Sequence, residues 1–244
     1  MQAIVLAAGY ATRLFPLTKN FPKALLEVGT RPMLTRLVDQ LFEIHDIQGV
    51  HVITNHAYYS HFENWQKQYG SDAVHIYDDG TTFDGNKLGA IGDLKFVIEK
   101  AQIDDDIIVV AGDNLLDFSL VPYYQMFEQL GRQPLLLGIN YEDREALKSF
   151  AVAEVDAGGR VLSLVEKPQD PKGNLAIFAL YAYPADVVKM LDTYLSEGHS
   201  PDAPGHFPEW LYTRRDVFVY SAPGKCYDVG THESLALVRT LFAE

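Results

Sequence analysis

Apolar residues fall along the chain in short runs that alternate between two rhythms. Residues 2–7 (QAIVLA) are nearly all apolar, the pattern of a strand buried on both faces. Residues 31–45 switch to a helical period. Met33, Leu34, Leu37, Val38, Leu41 and Phe42 fall on one face, and Pro32 suits a first turn. The alternation then repeats, with strands at 50–54, 74–77, 106–111 and 135–139 separated by helices at 58–69, 90–101 and 122–130. Such a series predicts right-handed crossovers and an α/β, doubly wound, mostly parallel Rossmann-like sheet with helices on both faces.

Past residue 140 the rhythm changes. Segments 150–155 and 160–165 flank Asp156-Ala157-Gly158-Gly159, a hairpin signal. A strand at 175–183, a helix at 185–196, a strand at 217–220 and a last helix at 232–243 follow. The stretch HFPEWL (206–211) reads as a helix start on the core. No linker separates the two parts, so the expectation is one domain over 1–244. A doubly wound half covers roughly 1–140, and 141–244 carries an inserted β-hairpin and helices.

Composition narrows the function. Asp and Glu outnumber Lys and Arg by 33 to 20, a formal net charge of −13, which argues against a nucleic-acid partner because that needs a broad basic surface. The single cysteine, Cys226, cannot close an internal disulfide or build a zinc site. No apolar run approaches the ~20 residues of a membrane helix, so no membrane partner is expected. The first strand begins at residue 2 and leaves no signal peptide, so a cytoplasmic location is expected.

In an acidic chain, the basic residues after the first strand stand out. Ligands of open parallel sheets bind at the carboxyl ends of strands. After Leu6, Ala7, Ala8 and Gly9 carry little or no side chain, and successive amides there can form an anion nest. Arg13 adds a planar fork suited to phosphate and Lys23 a compact charge, presented behind the stiff Phe21-Pro22. Lys19 reads as a solvated surface charge. The G-x-G-x-x-G dinucleotide pattern and the Gly-Lys-Ser/Thr phosphate loop are both absent, which removes most of the weight from dehydrogenase and P-loop readings. Small residues after a first strand also occur for packing alone. Asp113 and Asp228, taken singly, read as helix N-caps sooner than as ligands.

The stretch LAAGYATRLFPLTKNFPKALLEV (6–28) resembles the signature of the sugar-1-phosphate nucleotidyltransferases, L-A-A-G-x-G-T-R-L-x-P-L-T-x-x-x-P-K. It departs at Ala11, where that family usually has glycine. The resemblance continues through KLGAIGDL (87–94), similar to the nucleoside-contacting segment, VVAGDNLL (109–116), VEKP (165–168) and YDVGTHESL (227–235). It implies a nucleotidyltransferase-type fold with an NTP-binding first half and an acceptor-binding second half. It implies nucleotide contacts at Leu6, Ala7, Ala8, Gly9, Arg13, Lys23 and Gly89, and Mg²⁺ held by Asp113 and Asp228. Glu166 and Lys167 would bind the acceptor, and Arg13, Lys23 and Lys167 would be catalytic.

The activity so implied is Mg²⁺-dependent transfer of a nucleoside monophosphate from an NTP to a sugar-1-phosphate, releasing pyrophosphate. The expected partners are these small molecules, with homo-oligomerisation left open. Two alternatives stand beside it: a cytidylyltransferase for phosphocholine or another non-sugar phosphate, and an inactive nucleotide-binding regulatory module. Ala151 and Ala179 fall where relatives often have glycine near the sugar. Asp93 is unusual in its segment, and no glutamine precedes Gly89 in YDDGTTFDGNK (77–87), as it does in thymidylyl-type relatives. Cys226, where relatives usually have Trp, reads as packing.

Overall fold

The computed structural model describes residues 1–243. The first half runs β1 (Gln2–Leu6), β2 (Glu27–Val28), β3 (Arg31–Pro32), α1 (Met33–Phe42), β4 (Gly49–Thr54), α2 (Tyr59–Tyr69), β5 (Val74–Asp78), α3 (Ala90–Lys100), β6 (Ile107–Ala111), β7 (Asn114–Leu116) and α4 (Val121–Gln129). The second continues with β8 (Leu135–Asn140), α5 (Arg144–Leu147), β9 (Ala151–Val155), β10 (Val161–Glu166), β11 (Leu175–Tyr183), α6 (Ala185–Val188), α7 (Met190–Ser196), α8 (His206–Leu211), β12 (Phe218–Ser221), β13 (Cys226–Asp228) and α9 (His232–Leu241).

The apolar runs do become the centre of the sheet. Its spine is β10-β9-β11-β6-β1-β4-β5, and β8 lies on the other side of β11 with β12 beyond it. The β6-β1-β4-β5 block is parallel, with Leu6 level with Ile53 and Ala111. Three strand ends therefore finish along one edge, and the loops leaving them share that edge. The β9–β10 hairpin pairs antiparallel as its turn signal predicts, and β11 runs antiparallel to β6, β8 and β9. Each face of the sheet carries its own core. Val5, Leu37, Leu41, Val52, Phe62 and Val110 belong to one, and Ile4, Leu94, Val109, Tyr183, Phe207 and Trp210 to the other. A third cluster seats α9 through Leu235 and Val238 against Leu14, Met33 and Val229.

Two boundaries differ from the periodicity. The helix expected from residue 31 starts at Met33, because Pro32 is extended (φ −55°, ψ 145°) and Arg31–Pro32 pair with Glu27–Val28 as a short ribbon. The helix expected over 185–196 is two pieces joined at Lys189. Among the described residues, no helix is long and apolar enough to cross a membrane.

Candidate active site

A cleft of about 440 Å³ opens where β1 and β6 end, walled on the far side by the β9–β10 hairpin, β11 and the loop before α8. It gathers Leu6, Ala7, Ala8, Gly9, Arg13, Lys23, Gly89, Asp113, Glu166, Lys167 and Asp228 on one lining. Every site residue named from the sequence is there.

The loop after β1 is held from below. Ala7 N–H donates to Ile53 O at 2.9 Å, and the buried Asn55 donates through Nδ2 to Ala8 O at 2.9 Å. Gly112 lies so close that a Cβ would stand 3.2 Å from the Ala7 methyl. Ala11 then turns left-handed (φ 47°, ψ 44°), and Thr18 Oγ1 donates to its carbonyl at 2.7 Å. That turn starts a 3₁₀ segment, Thr12–Leu14, in which buried Leu14 is the anchor and Arg13 faces the cleft. A Cβ on Gly230 would come within 3.3 Å of Arg13 Nη2 and 3.6 Å of Asp228 Oδ1, so Arg13 and Asp228 meet across a bare backbone. Lys23 opens a second 3₁₀ turn, anchored by buried Ala24 and Leu25.

The two aspartates arrive from distant parts of the chain by pairing. β7 and β13 form an antiparallel ribbon in which Asp228 lies opposite Asn114, the residue after Asp113. Neither aspartate caps a helix. Asp113 leads into β7, and the helix after Asp228 is capped by Thr231, whose hydroxyl accepts from Ser234 N–H. Lys23 Nζ sits between the carboxylates, paired with Asp113 Oδ2 and 3.7 Å from Asp228 Oδ1. Asp228 is open to water at the cleft but enclosed by protein around it. That enclosure and the charge of Asp113 raise its affinity for a proton, and Lys23 and Arg13 offset them only in part. The two carboxylates converge on the same point of the cleft, and an all-oxygen donor pair suits Mg²⁺, which takes one or two carboxylates and fills its other positions with water and phosphate oxygens. The residues fit that ion.

At the other end, β10 delivers Glu166 and the chain turns sharply. Lys167 is left-handed (φ 47°), its N–H held by Phe150 O at 3.1 Å. A non-glycine residue so placed is strained, a condition that clusters at ligand sites. Glu166 is largely buried and lies 3.6 Å from Lys167 Nζ. Burial raises its proton affinity, offset in part by Lys167 and His206. A Cβ on Gly205 would fall on Glu166 Oε2, and the Ala151 methyl stands 3.6 Å from the same point. Ala151 and Ala179 both line this end, as does the ring of buried Tyr181.

Sequence reading missed the loop 201–205. Its backbone carbonyls reach across the cleft mouth: Ala90 N–H donates to Asp202 O and Ile91 N–H to Pro201 O, each at 2.9 Å. Lys87 Nζ pairs with Asp202 Oδ1 at 2.9 Å. Gly89 has φ 83° and ψ 160°, and a Cβ there would lie 2.5 Å from Pro201 O. The Pro-Asp-Ala-Pro-Gly composition marks a loop, but nothing in it announces a brace.

Comparison with known proteins gives the same picture. The family model described as nucleotidyl transferase matches residues 2–243. A low-salt glycan biosynthesis nucleotidyltransferase, Agl11 of Haloferax volcanii, is 31% identical over 201 residues, covering 79% of this chain and 52% of that protein. The UTP–glucose-1-phosphate uridylyltransferase AglF of the same organism is 25% identical over 183 residues, covering 75% of this chain and 72% of its own length. Against the Haloferax Agl11 and the bifunctional GlmU of Methanococcus aeolicus, the chain spans about half of each relative's length (52% and 42%). A UTP-bound UGPase from Acinetobacter baumannii superposes with a TM-score of 0.81 at 17% identity, over 99% of this chain and 92% of that one, which bears on the fold. The family match is nearly end to end, and on that ground the chain belongs to the nucleotidyl transferase family.

Proposed function

We propose that this protein transfers a nucleoside monophosphate from an NTP to a sugar-1-phosphate, forming an NDP-sugar and releasing pyrophosphate. One observation carries the reading. The amide-and-cation loop (Ala7–Gly9, Arg13, Lys23), the Asp113–Asp228 pair and the Glu166–Lys167 turn face each other across a single cleft. The relatives named for UTP–glucose-1-phosphate transfer support the same substrate class.

The physical difficulty of the reaction is that two polyanions must meet. Unit charges about 4 Å apart repel by about 4 kcal/mol at an effective dielectric near 20. The backbone amides of Ala7–Gly9 and the Arg13 fork receive the triphosphate. Lys23, already placed between the carboxylates, moves its charge onto the departing pyrophosphate, where negative charge grows in the transition state. Asp113 and Asp228 would hold Mg²⁺, which when bound neutralises phosphate oxygens and orients them. Lys167 draws in the acceptor's phosphate, and Glu166 accepts hydrogen bonds from its hydroxyls. An acceptor phosphate oxygen, held in line opposite pyrophosphate, attacks the α-phosphorus directly, and no covalent enzyme intermediate is needed.

A phosphocholine acceptor would call for aromatic faces open to a quaternary ammonium. Of the rings lining the cleft, Phe178 and Tyr181 are each 3% exposed and packed in opposite cores, which leaves the partly buried Phe150, 4.8 Å from the Phe178 ring, and one ring does not make a box. The test is a matrix of UTP, dTTP, CTP, GTP and ATP against sugar-1-phosphates and phosphocholine, with Mg²⁺, read by pyrophosphate release. Release with at least one NTP and sugar-1-phosphate pair, abolished in Asp228→Asn, is expected. Nucleotide binding without release from any pair would overturn transfer in favour of a regulatory binding module.

A further inference from the structure

Behind the nucleoside end of the cleft lies a polar cluster that the transfer reaction does not use. It joins Tyr10 of the phosphate loop, Asp79 and Thr81 beyond β5, and Asp93, one turn into α3. Asp93 is 6% exposed, lines the cleft beside Ala90, and has a buried Oδ1 with no hydrogen-bond partner.

Hydrogen-bond directions assign the proton. Asp79 Oδ1 accepts from Thr81 N–H at 2.6 Å and Asp79 Oδ2 from Thr81 Oγ1 at 2.9 Å. Thr81 Oγ1, its hydrogen committed, accepts from the Tyr10 hydroxyl at 3.2 Å. Asp79 thus receives two hydrogens, which favours its ionised form, whereas Asp93 receives none from the protein. Two neighbouring carboxyls can bond only through a proton; burial raises the proton affinity of both, but Asp79 has its oxygens committed to the Thr81 donors, so Asp93 is the group left to carry it. Burial, with the charge of Asp79, pushes Asp93 up to about 7. The titratable groups around the pair are Asp78 at the end of β5 and Asp79 just beyond it, Tyr10 from the phosphate loop with Asp84 beyond it, and His56 from the loop after β4. The one cation among them, His56, pairs with Asp78 Oδ2 at 2.6 Å and acts on Asp79 rather than on Asp93, so no cation holds a second negative charge on Asp93 itself. Asp93 N–H also donates to Gly89 O at 2.8 Å, so the position of Asp93 sets that of the Gly89–Ala90 turn.

We propose that Asp93 is a positioning residue: as the protonated partner of Asp79 it fixes the Gly89–Ala90 turn against the phosphate loop, and nucleotide affinity depends on that proton. The proposal rests on the nucleotidyl-transfer reading of the cleft. When the proton leaves to solvent, two adjacent carboxylates repel and the first turn of α3 loses its hold on β5.

Two measurements on the whole chain test this. The first needs no nucleotide. A carboxyl whose folded affinity for protons exceeds its unfolded one stabilises the fold at low pH, and that contribution is lost as pH rises toward 7. Asp93→Asn can donate to Asp79 but cannot lose its proton. Its Tm advantage over wild type should therefore grow by roughly 3–6 °C between pH 5 and 8. Asp79→Asn, which can donate to an ionised Asp93, serves if the first variant does not fold. The second measurement is calorimetric binding of UTP, dTTP, CTP, GTP and ATP with Mg²⁺. For a nucleotide that binds, wild-type Kd relative to the Asn variant should rise roughly tenfold from pH 6 to 8, the triphosphate's own titration being common to both. A flat Tm difference overturns the shared proton. A growing Tm difference with parallel binding profiles overturns the positioning role and leaves nucleotidyl transfer standing. A growing Tm difference with no nucleotide bound by either protein overturns the transfer reading, and the positioning role with it.

Discussion

Replacing Gly89 with Ala tests the joint between the two walls of the cleft. The backbone there (φ 83°, ψ 160°) lies in a region essentially reserved for glycine, and forcing another residue into it costs about 1–3 kcal/mol. The new methyl would also stand 2.5 Å from Pro201 O and 2.8 Å from both Pro201 C and Asp202 Cα, all backbone atoms that no rotamer change can clear. The loop must retreat by roughly 1 Å to restore ordinary contact. That movement breaks the bonds from Ala90 and Ile91 to the loop carbonyls, each contributing roughly 0.5–1.5 kcal/mol. Together the terms give about 2–6 kcal/mol, which at about 2–4 °C per kcal/mol for a chain of this size lowers Tm by roughly 4–24 °C. Calorimetric unfolding, with urea melts as a second measure, checks it. Gly9→Ala is the internal comparison: its Cβ would meet nothing within 4 Å, and Tm should move by less than about 2 °C. A Gly89→Ala protein melting within about 3 °C of wild type would show that the loop gives way freely and that the brace does not exist.

Ala11→Gly removes a methyl from a left-handed turn and should raise stability by up to about 1 kcal/mol, read as a small Tm increase; a loss of stability would mean the turn is not strained. Lys23→Ala should lower kcat by roughly 10²-fold, about 2.7 kcal/mol, with little effect on acceptor KM, because its charge acts on the leaving group. Lys167→Ala should instead raise acceptor KM and leave NTP binding nearly unchanged; steady-state kinetics with each substrate varied separates the two, and the reverse pattern would exchange their roles. Cys226 is 2% exposed with its thiol pushed up by burial, so iodoacetamide should leave it unmodified in the folded protein and Cys226→Ser should keep turnover within a few-fold. Rapid alkylation under native conditions would show that the β7–β13 ribbon opens.

What could be read from the sequence depended on how contiguous the chemistry was. That the loop after β1 would line the cleft was legible because Ala7–Gly9, Arg13 and Lys23 lie in one stretch whose residue types are those an anion requires. The parallel block was legible because its strands are uninterrupted apolar runs buried on both sides. Asp113 and Asp228 were legible as a pair only through the family resemblance. What joins them is a three-residue ribbon, too short to carry any periodicity. The start of α1 was misread because an extended Pro32 serves a ribbon with Glu27–Val28, a tertiary pairing that overrides the proline's fitness for a first turn. The loop 201–205 was invisible as a functional element because it acts through backbone carbonyls, which every sequence supplies equally. The left-handed Lys167 was hidden for a related reason: glycine advertises such a conformation, and lysine does not.

The brace at 201–205 also bears on how such a protein could acquire new substrates. Gly89, at the end of the cleft proposed for the nucleoside, faces Pro201 O at one end of this loop, and Gly205, at its other end, faces the Glu166 carboxylate proposed for the acceptor. A loop borrowed from a relative to accept a different sugar would have to reproduce the carbonyls that hold Ala90 and Ile91, or the donor pocket would be altered along with the acceptor pocket. If the cleft works as proposed, the two specificities would be inherited as a linked unit. Directed evolution of one should recruit compensating changes at the other, with residues 87–93 and 201–205 varied in the same library rather than in succession.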